Sequence, residues 1–311
     1  MDYIIHKKQH GMSIKNVILN ELGYSSRSLK KLKVMKNGIM LNREHATVTH
    51  TVSEGDILSL AAENFEATSD KLIPSPIPLA IIYEDDQIVV PNKPAGMPTH
   101  TSHGHIDDTV ANALAYKYLL RNEPFVFRAI SRLDKDTSGI LIIAKTKLAA
   151  SLLSGAMSRH EIEKSYIALL EGFLEGEDTG EIESYIRRAE ESIIFREVCA
   201  EGEGGDLAKT RYKVIARSPS HTLVVATPVT GRTHQLRVHF SSLGNPIVGD
   251  VLYGSGAVNS LSGLALHSYR VRFPHPSKAL MELKAPLDIA FSELCREIFG
   301  DGVTEELEKL F

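Results

Sequence analysis

The sequence has no tryptophan and only two cysteines, Cys199 and Cys295, among its 311 residues. Two cysteines so far apart exclude a disulfide-dense scaffold and a cysteine-based zinc site, and they are typical of a reduced protein. No uninterrupted apolar run approaches the roughly 18 residues that a membrane span needs. The first six residues also lack the basic and then apolar pattern of a secretory signal peptide. We therefore expect a cytoplasmic protein without a membrane segment.

The sequence also has little net charge, −4 at pH 7, which by itself argues against a nucleic-acid partner. The charges are unevenly distributed, however. Residues 1–43 carry nine Lys/Arg against two acids, and residues 207–240 carry six Lys/Arg and no acid. Residues 171–206 carry twelve acids against three Lys/Arg. Segregation of this kind allows a local basic face on an acidic protein. Chance clustering of surface charge is the alternative.

The length leaves room for two domains. Residues 1–62 have the pattern of a small basic module with both helices and strands. Residues 63–77 lack periodicity and contain two prolines, which is typical of a linker. Residues 78–311 form the second predicted domain, of the α+β class, because closely spaced strands favour a mixed, mainly antiparallel sheet over a doubly wound one. The predicted strands are 81–82, 88–90, 166–172, 210–216, 222–226, 236–240, 264–273 and 280–285, and the predicted helices begin at 108–109 and 148.

The N-terminal module contains two predicted helices. Ser13 can cap the first, whose apolar residues follow helical spacing. The second begins near Ser25 and stops at Gly38, and it would bring Arg27, Lys30 and Lys31 to one side. This arrangement resembles the small RNA-binding fold of ribosomal protein S-four, which predicts that these three side chains bind RNA. A solvated basic face is the alternative.

The most informative segment is Ser131–Gly139, which reads S-R-L-D-K-D-T-S-G. Residues two apart on an extended chain project to one face, so Arg132 and Asp134 should share one space. A turn is predicted at 136–139, followed by the apolar run 140–144. A carboxylate beside a cation stays charged and is a candidate nucleophile. An isolated pair of this kind is more commonly a surface ion pair.

Four further blocks decide between these interpretations. Together with R-L-D-x-x-T-S-G, they resemble the ordered motifs of the RluA-type pseudouridine synthases over roughly residues 78–286. The blocks are D-D-Q-I-V-V-P-N-K-P-A-G-M-P-T-H at 85–100, E-K-S-Y-I-A-L-L-E-G at 163–172, T-P-V-T-G-R-T-H-Q-L-R-V-H at 227–239, and G-N-P-I-V-G-D at 244–250.

The resemblance implies a role for five residues. Asp134 would be the catalytic carboxylate, and attack at C1′, attack at C6 and deprotonation of the sugar all stay open. Arg237, on a predicted strand, would stand beside that carboxylate. Arg132 would fill the gap that a flipped uridine leaves, Tyr166 would stack on the flipped base, and Leu236 would line the pocket. The reaction replaces an N1–C1′ bond with a C5–C1′ bond, so neither a metal nor an organic cofactor is required.

Two positions depart from the family pattern. Ser131 stands where the family usually has histidine before R-L-D, which leaves any role of that histidine in doubt. Pro91 stands where an apolar strand residue is commoner. Because proline cannot donate to a ladder, we expect the strand to end there or to lie at an edge.

Two other functions compete with the isomerase. The run H-G-H-I-D-D at 103–108, with His100 nearby, mimics the metal-binding run of zinc-dependent hydrolases. Asp108 and Thr109 are, however, better explained as a helix cap. A non-catalytic RNA-binding or ribosome-assembly protein is the second alternative, although binding alone would not need Asp134. The basic N-terminal module favours ribosomal RNA over transfer RNA as the partner, and family precedent favours a monomer without an obligate protein partner.

Overall fold

The computed structural model describes residues 2–22, 24, 26–35, 37–61, 72–277 and 279–310. The predicted boundary at residue 62, most of the predicted linker and Ser25 lie outside the described residues, as do the side chains of Arg27 and Lys31. The described strands form a four-stranded sheet within residues 2–60 and an eleven-stranded sheet that begins at residue 80. The proposed domain boundaries stay a prediction.

The N-terminal sheet is antiparallel, with strand order β1-β4-β2-β3. Ser13 caps the first helix as predicted, because its Oγ accepts from the backbone N–H of Asn16 at 3.3 Å. The helix continues as a π-helical turn, Val17–Glu21. On the second helix Leu29 is buried and Lys30 exposed. The elements are β1 (Asp2–Ile4), α1 (Ile14–Asn16), α2 (Ser26–Val34), β2 (Ile39–Leu41), β3 (Glu44–His45) and β4 (Ile57–Leu60).

The large sheet confirms the predicted α+β class. Its strand order is β11-β10-β12-β13-β9-β14-β7-β6-β5, with β15 added to β14 and β8 to β6. All its strand pairs are antiparallel except β14 with β7, so the sheet is mixed and mainly antiparallel. Its elements are β5 (Ala80–Glu84), β6 (Ile88–Lys93), α3 (Val110–Leu120), β7 (Ser138–Ile140), β8 (Ile143–Ala144), α4 (Lys147–Ser158), β9 (Glu163–Glu171), β10 (Thr179–Arg188), β11 (Arg196–Cys199), β12 (Asp206–Arg217), β13 (His221–Pro228), α5 (Gln235–Ser242), β14 (Leu266–Pro274), β15 (Leu280–Lys284), α6 (Ile289–Phe299) and α7 (Gly302–Glu308).

The predicted strand at 236–240 is wrong, because these residues belong to helix α5. Every residue from Gln235 to Phe240 is buried, the polar ones included, so these residues show no division into an apolar buried face and a polar exposed face. The alternation of Leu236, Val238 and Phe240 mimics a strand. Sequence analysis also missed β10 and β11, which lie in the acidic segment 171–206 and carry many charged side chains on an exposed sheet end.

The prediction for Pro91 is also wrong. The residue lies inside β6, which has β5 on one side and β7 with β8 on the other. The Pro91 carbonyl accepts from Leu141 N at 3.2 Å, so its missing N–H faces the two residues between β7 and β8. The ladder is already interrupted there, and no strand hydrogen bond is lost. On the other side, β5 has a bulge between Ile81 and Tyr83.

The last part of the predicted linker, residues 72–77, packs through Leu72 and Ile77 against the main hydrophobic core beside the large sheet. Buried Asn112 holds this segment: its Nδ2 donates to the carbonyls of Ile73 (2.7 Å) and Ile106 (2.9 Å). Its Oδ1 accepts from Thr109 N, which closes a capping box at the start of α3. Each helix in the described ranges is too short or too polar to span a bilayer.

We expect Asn112→Ala to lower the free energy of unfolding by about 1–3 kcal/mol, because it removes the Asn112 half of the capping box and the donor to two carbonyls. Urea denaturation would measure the change. The matched control is Asn259→Ala, since Asn259 is exposed. Equal stability of the two variants would contradict the structural role of Asn112.

Candidate active site

A cavity of about 460 Å³ lies between the segment 130–137, the end of α4, strand β9 and the segment 228–237. The sheet brings these segments together, because β9 lies beside both β13 and β14, and β14 pairs with β7 directly after the first segment. All five site residues that the sequence predicts outside the N-terminal module line this cavity. They are Arg132, Asp134, Tyr166, Leu236 and Arg237.

Three contacts hold the loop that carries Asp134. Thr99 Oγ1 donates to the Leu133 carbonyl at 2.9 Å, and Lys93 Nζ donates to the Lys135 carbonyl at 2.8 Å. The N–H of Thr137 donates to the Asp134 carbonyl at 3.2 Å, so the turn lies two residues earlier than predicted. Both Arg132 and Asp134 face the cavity, as the extended segment predicts.

Gly139 anchors the other end of this loop. Its φ is +110°, and a Cβ at this position would collide with the backbone of Ser268 on β14. Only glycine lets β7 approach β14 this closely without strain. The parallel pairing of these two strands therefore depends on Gly139, and it fixes where the loop leaves the sheet.

The Asp134 carboxylate faces two cationic or basic groups across the cavity. Its Oδ2 lies 3.5 Å from Arg237 Nη1 and 3.8 Å from His234 Nε2. The Asp134 side chain is 34% exposed, which leaves its other face open to a ligand.

Arg237 is itself held by a buried carboxylate. Its Nε and Nη2 donate to Asp250 Oδ2 and Oδ1, both at 2.7 Å. The Arg237 side chain is only 5% exposed and that of Asp250 is 0% exposed. Burial would raise the pKa of Asp250, but the guanidinium and the N–H groups of Leu252 and Tyr253 hold that pKa below its usual value. The bidentate pair aims Nη1 at Asp134.

Tyr166 provides the aromatic wall of the cavity from strand β9. Its side chain is buried, and burial, together with the negative charge of Asp134, raises the pKa of its hydroxyl to about 12. The tyrosine is therefore neutral at neutral pH. Leu236 lies in the first turn of α5, and its apolar side chain lines the same cavity.

His234 is a site residue that sequence analysis missed. It adopts a left-handed backbone conformation (φ 57°) immediately before α5 and lines the cavity. Its Nδ1 is 2.9 Å from the hydroxyl of Tyr253, and the Tyr253 ring in turn lies 5.1 Å from Arg237 Cζ. Burial lowers the pKa of His234, and the charge of Arg237 adds to this while Asp134 opposes it. His234 stands three residues before Arg237 in the same motif, and this position was the signal from which the sequence could have predicted it as a site residue.

Lys93 is the second missed residue. It is fully buried, and its Nζ donates to the carbonyls of Pro94, Met97 and Lys135. Burial lowers the pKa of this ammonium to about 7, against the opposing charges of Asp136 and Asp134. Lys93 thus ties the first motif to the loop that carries Asp134.

The run at 103–108 does not assemble as a metal site. His105 Nδ1 pairs with Asp108 Oδ2 at 2.6 Å, and Thr109 rather than Asp108 caps α3. Within the described ranges, no three His, Cys, Asp or Glu side chains are placed to hold a metal ion. Ser131, which replaces the family histidine, lines the cavity next to Arg132.

Comparisons with known proteins agree with this geometry. The family model for RNA pseudouridylate synthase matches residues 87–242. The uncharacterized RNA pseudouridine synthase YjbO of Bacillus subtilis (strain 168) is 35% identical over 277 residues, which cover 89% of this chain and 96% of that protein. The ribosomal large subunit pseudouridine synthase C of Vibrio vulnificus (strain CMCP6) is 31% identical over 297 residues, 91% of each chain.

Among solved structures, human RNA pseudouridylate synthase domain containing 1 is similar, with a TM-score of 0.56 and 30% identity over 68% of this chain and 84% of that one. The matched residues of the family model include Asp134, Tyr166 and Arg237. The non-catalytic alternative is therefore set aside. As its RluA-type motifs predict, the chain belongs to the RNA pseudouridylate synthase family and is an isomerase that makes pseudouridine in RNA.

Proposed function

We propose that Asp134 is the catalytic carboxylate of this isomerase and that its substrate is a uridine in large-subunit ribosomal RNA. The observation that carries the catalytic part is the Asp134 carboxylate, which faces a cavity 3.5 Å from the buried Arg237 guanidinium. The choice of ribosomal RNA is supported by the printed name of the Vibrio vulnificus relative and by the excess of Lys/Arg in residues 1–43.

The proposed reaction is balanced without an added reactant. The N1–C1′ bond of uridine breaks, the uracil turns, and a C5–C1′ bond forms, while the proton on C5 is exchanged for one on N1. A carboxylate suits this series of steps because it can add covalently to the sugar or the base and leave again. Attack at C1′, attack at C6 and deprotonation of the sugar are all compatible with an Asp134 that is open on one face.

The target base has to leave its helix before it can reach Asp134. Extrusion costs a few kcal/mol, and filling the vacated space offsets part of that cost. Exposed Arg132, next to the cavity, suits the role of wedge. Stacking on an aromatic ring contributes about 1–3 kcal/mol per base, and Tyr166 is the ring available in the cavity. Leu236 would complete the apolar part of the pocket.

We also propose that the protein acts in the cytoplasm as a monomer without an obligate protein partner. Both cysteines are free, which suits a reducing compartment. The N-terminal module would add RNA affinity through Arg27, Lys30 and Lys31, and would take no part in the chemistry.

Asp134→Asn should lower the rate of pseudouridine formation by about 10³-fold or more, because the amide has lost the nucleophilic charge. RNA affinity should stay within about threefold. Carbodiimide-based mapping of the RNA would measure the product. The matched control is Asp107→Asn, since Asp107 is exposed and outside the cavity lining. Robust product formation by Asp134→Asn would overturn the assignment.

Replacing Lys30 and Lys33 of α2 with glutamine should weaken binding of ribosomal RNA and flatten its salt dependence. Each lost phosphate contact reduces the slope of log K against log salt by about 0.7–0.9. Both lysines are exposed, and the rate at saturating RNA should not change. Lys309→Gln in the acidic C-terminal segment is the control. An unchanged slope in the double variant would count against RNA binding by the module.

A further inference from the structure

Lys164 is a cavity residue to which the mechanism above gives no task. It lies on β9, two residues before Tyr166, and both side chains line the cavity because residues two apart on a strand share a face. They stand about 7 Å apart along the strand. The neighbouring Glu163 points to the other face and pairs with Arg270.

The half-buried ammonium of Lys164 has no partner among the described residues, neither a hydrogen-bond acceptor nor a carboxylate. Other buried cations near the site differ. Arg237 is paired with Asp250, and the Lys93 ammonium donates to three carbonyls. Burial alone lowers the pKa of Lys164 to about 8, with no nearby negative charge to oppose the shift.

The side chains around Lys164 give no structural reason for a positively charged residue at this position. The cavity lining also includes the apolar side chains of Met157, Ile162 and Val229, and Ile162 lies two residues before Lys164 in the sequence. A leucine or methionine at position 164 would pack against them without the penalty of a desolvated ammonium. A lysine that lines this cavity without a partner among the described residues points to a ligand that supplies the missing anion.

We propose that Lys164 binds a backbone phosphate that flanks the flipped uridine. The proposal rests on the proposed function, because it takes RNA as the occupant of the cavity. A uridine nucleotide carries its negative charge on phosphate, and a lysine ammonium is a compact point charge that binds phosphate well. With uracil on Tyr166 and ribose at Asp134, a phosphate next to that ribose would come within reach of the Lys164 side chain, whose backbone position is about 7 Å from Tyr166 along the strand. Lys164 would thus act in binding and positioning, not in bond breaking.

The first test compares Lys164→Met with Lys164→Arg on an RNA fragment that the wild-type enzyme modifies. The methionine variant should raise KM about tenfold, a free-energy loss typical of one charge-assisted contact. The rate at saturating RNA should stay within about threefold, and the salt slope should fall by about 0.7–0.9. The arginine variant should recover most of the affinity. Lys213→Met, on an exposed site of β12 outside the cavity, is the control.

The second test identifies the phosphate. Neutral methylphosphonate linkages are placed singly on the 5′ and 3′ sides of the target uridine, and affinities are measured for wild type and Lys164→Met. One of the two linkages should weaken wild-type binding but add nothing to the loss in the variant, which is the non-additivity of a shared contact. Fully additive losses at both linkages would overturn the phosphate assignment, for example in favour of a contact with a uracil carbonyl.

The third test uses pH. The ammonium loses its proton as pH rises through about 8, so wild-type RNA affinity should fall between pH 8 and 10, and binding should take up protons in this range. Lys93, with a pKa of about 7, titrates nearby, so the informative quantity is the difference between wild type and Lys164→Met. The titratable or charged groups that face Lys164 across the cavity are Arg132 and Asp134 of the catalytic loop, His160 after α4, Tyr166 of the same strand, and Arg232, His234 and Arg237 of the 228–237 segment.

Stability provides a readout that a structural lysine would not give. Because the folded-state pKa of Lys164 is lowered, its burial opposes folding at pH 7 and ceases to do so as pH rises. Lys164→Met should therefore melt at a higher temperature than wild type while binding RNA less tightly. A variant that is less stable and binds RNA normally would overturn the inference. A wild-type enzyme that made no pseudouridine would instead overturn the proposed function.

Discussion

The site depends on one buried guanidinium held between two carboxylates. Arg237 is fixed by a bidentate pair with Asp250 at 2.7 Å, and only its Nη1 remains for Asp134 at 3.5 Å. Asp250 compensates most of the desolvation of the guanidinium, so Asp134 does not have to be buried to be attracted. The Asp134 carboxylate can thus stay 34% exposed and open to a ligand, whereas the Asp250 carboxylate is completely buried. Removing one partner of such a buried pair would leave an uncompensated charge.

The same constraint explains the backbone around it. Helix α5 has to begin sharply after the segment 228–233 for Arg237 to face inward, and His234 takes a left-handed conformation at that point. A non-glycine residue held at positive φ stores strain that the surroundings must offset. Here the imidazole is tied to Tyr253, whose ring also packs on the guanidinium. On the opposite wall, Lys93, Thr99 and the loop carbonyls fix Asp134, so both charges are placed by buried hydrogen bonds and not by exposed loops.

The sequence predicts the composition of the site better than its architecture. Arg132, Asp134, Tyr166, Leu236 and Arg237 were each predicted from local motifs, and the fold brings all of them to one cavity. The element that carries Arg237 was predicted wrongly, because a helix buried on all sides loses the polar face on which periodicity depends. The prediction for Pro91 was wrong because a proline is tolerated in the middle of β6 only where the strand pairing is interrupted between β7 and β8. The arrangement of strands in the sheet shows this interruption, and the local sequence does not. Partners such as Asp250 and His234 stand in recognised motifs, but their roles follow from distances that no local pattern encodes.

The charges of the cavity also reconcile an acidic protein with an RNA substrate. Its lining contains a single carboxylate, Asp134, and four permanently or largely cationic side chains, Arg132, Lys164, Arg232 and Arg237. Two of the four are compensated within the protein, Arg237 by Asp250 and Arg232 by Asp206 at 3.4 Å. Among the described residues, neither Arg132 nor Lys164 has such a partner. Arg132 is exposed and Lys164 is half-buried, and both line the cavity, so a polyanion that enters it meets two cations that the protein leaves unpaired. The net charge of −4 therefore says little about binding, because the field that acts on the substrate is set locally by which cations the protein leaves unpaired.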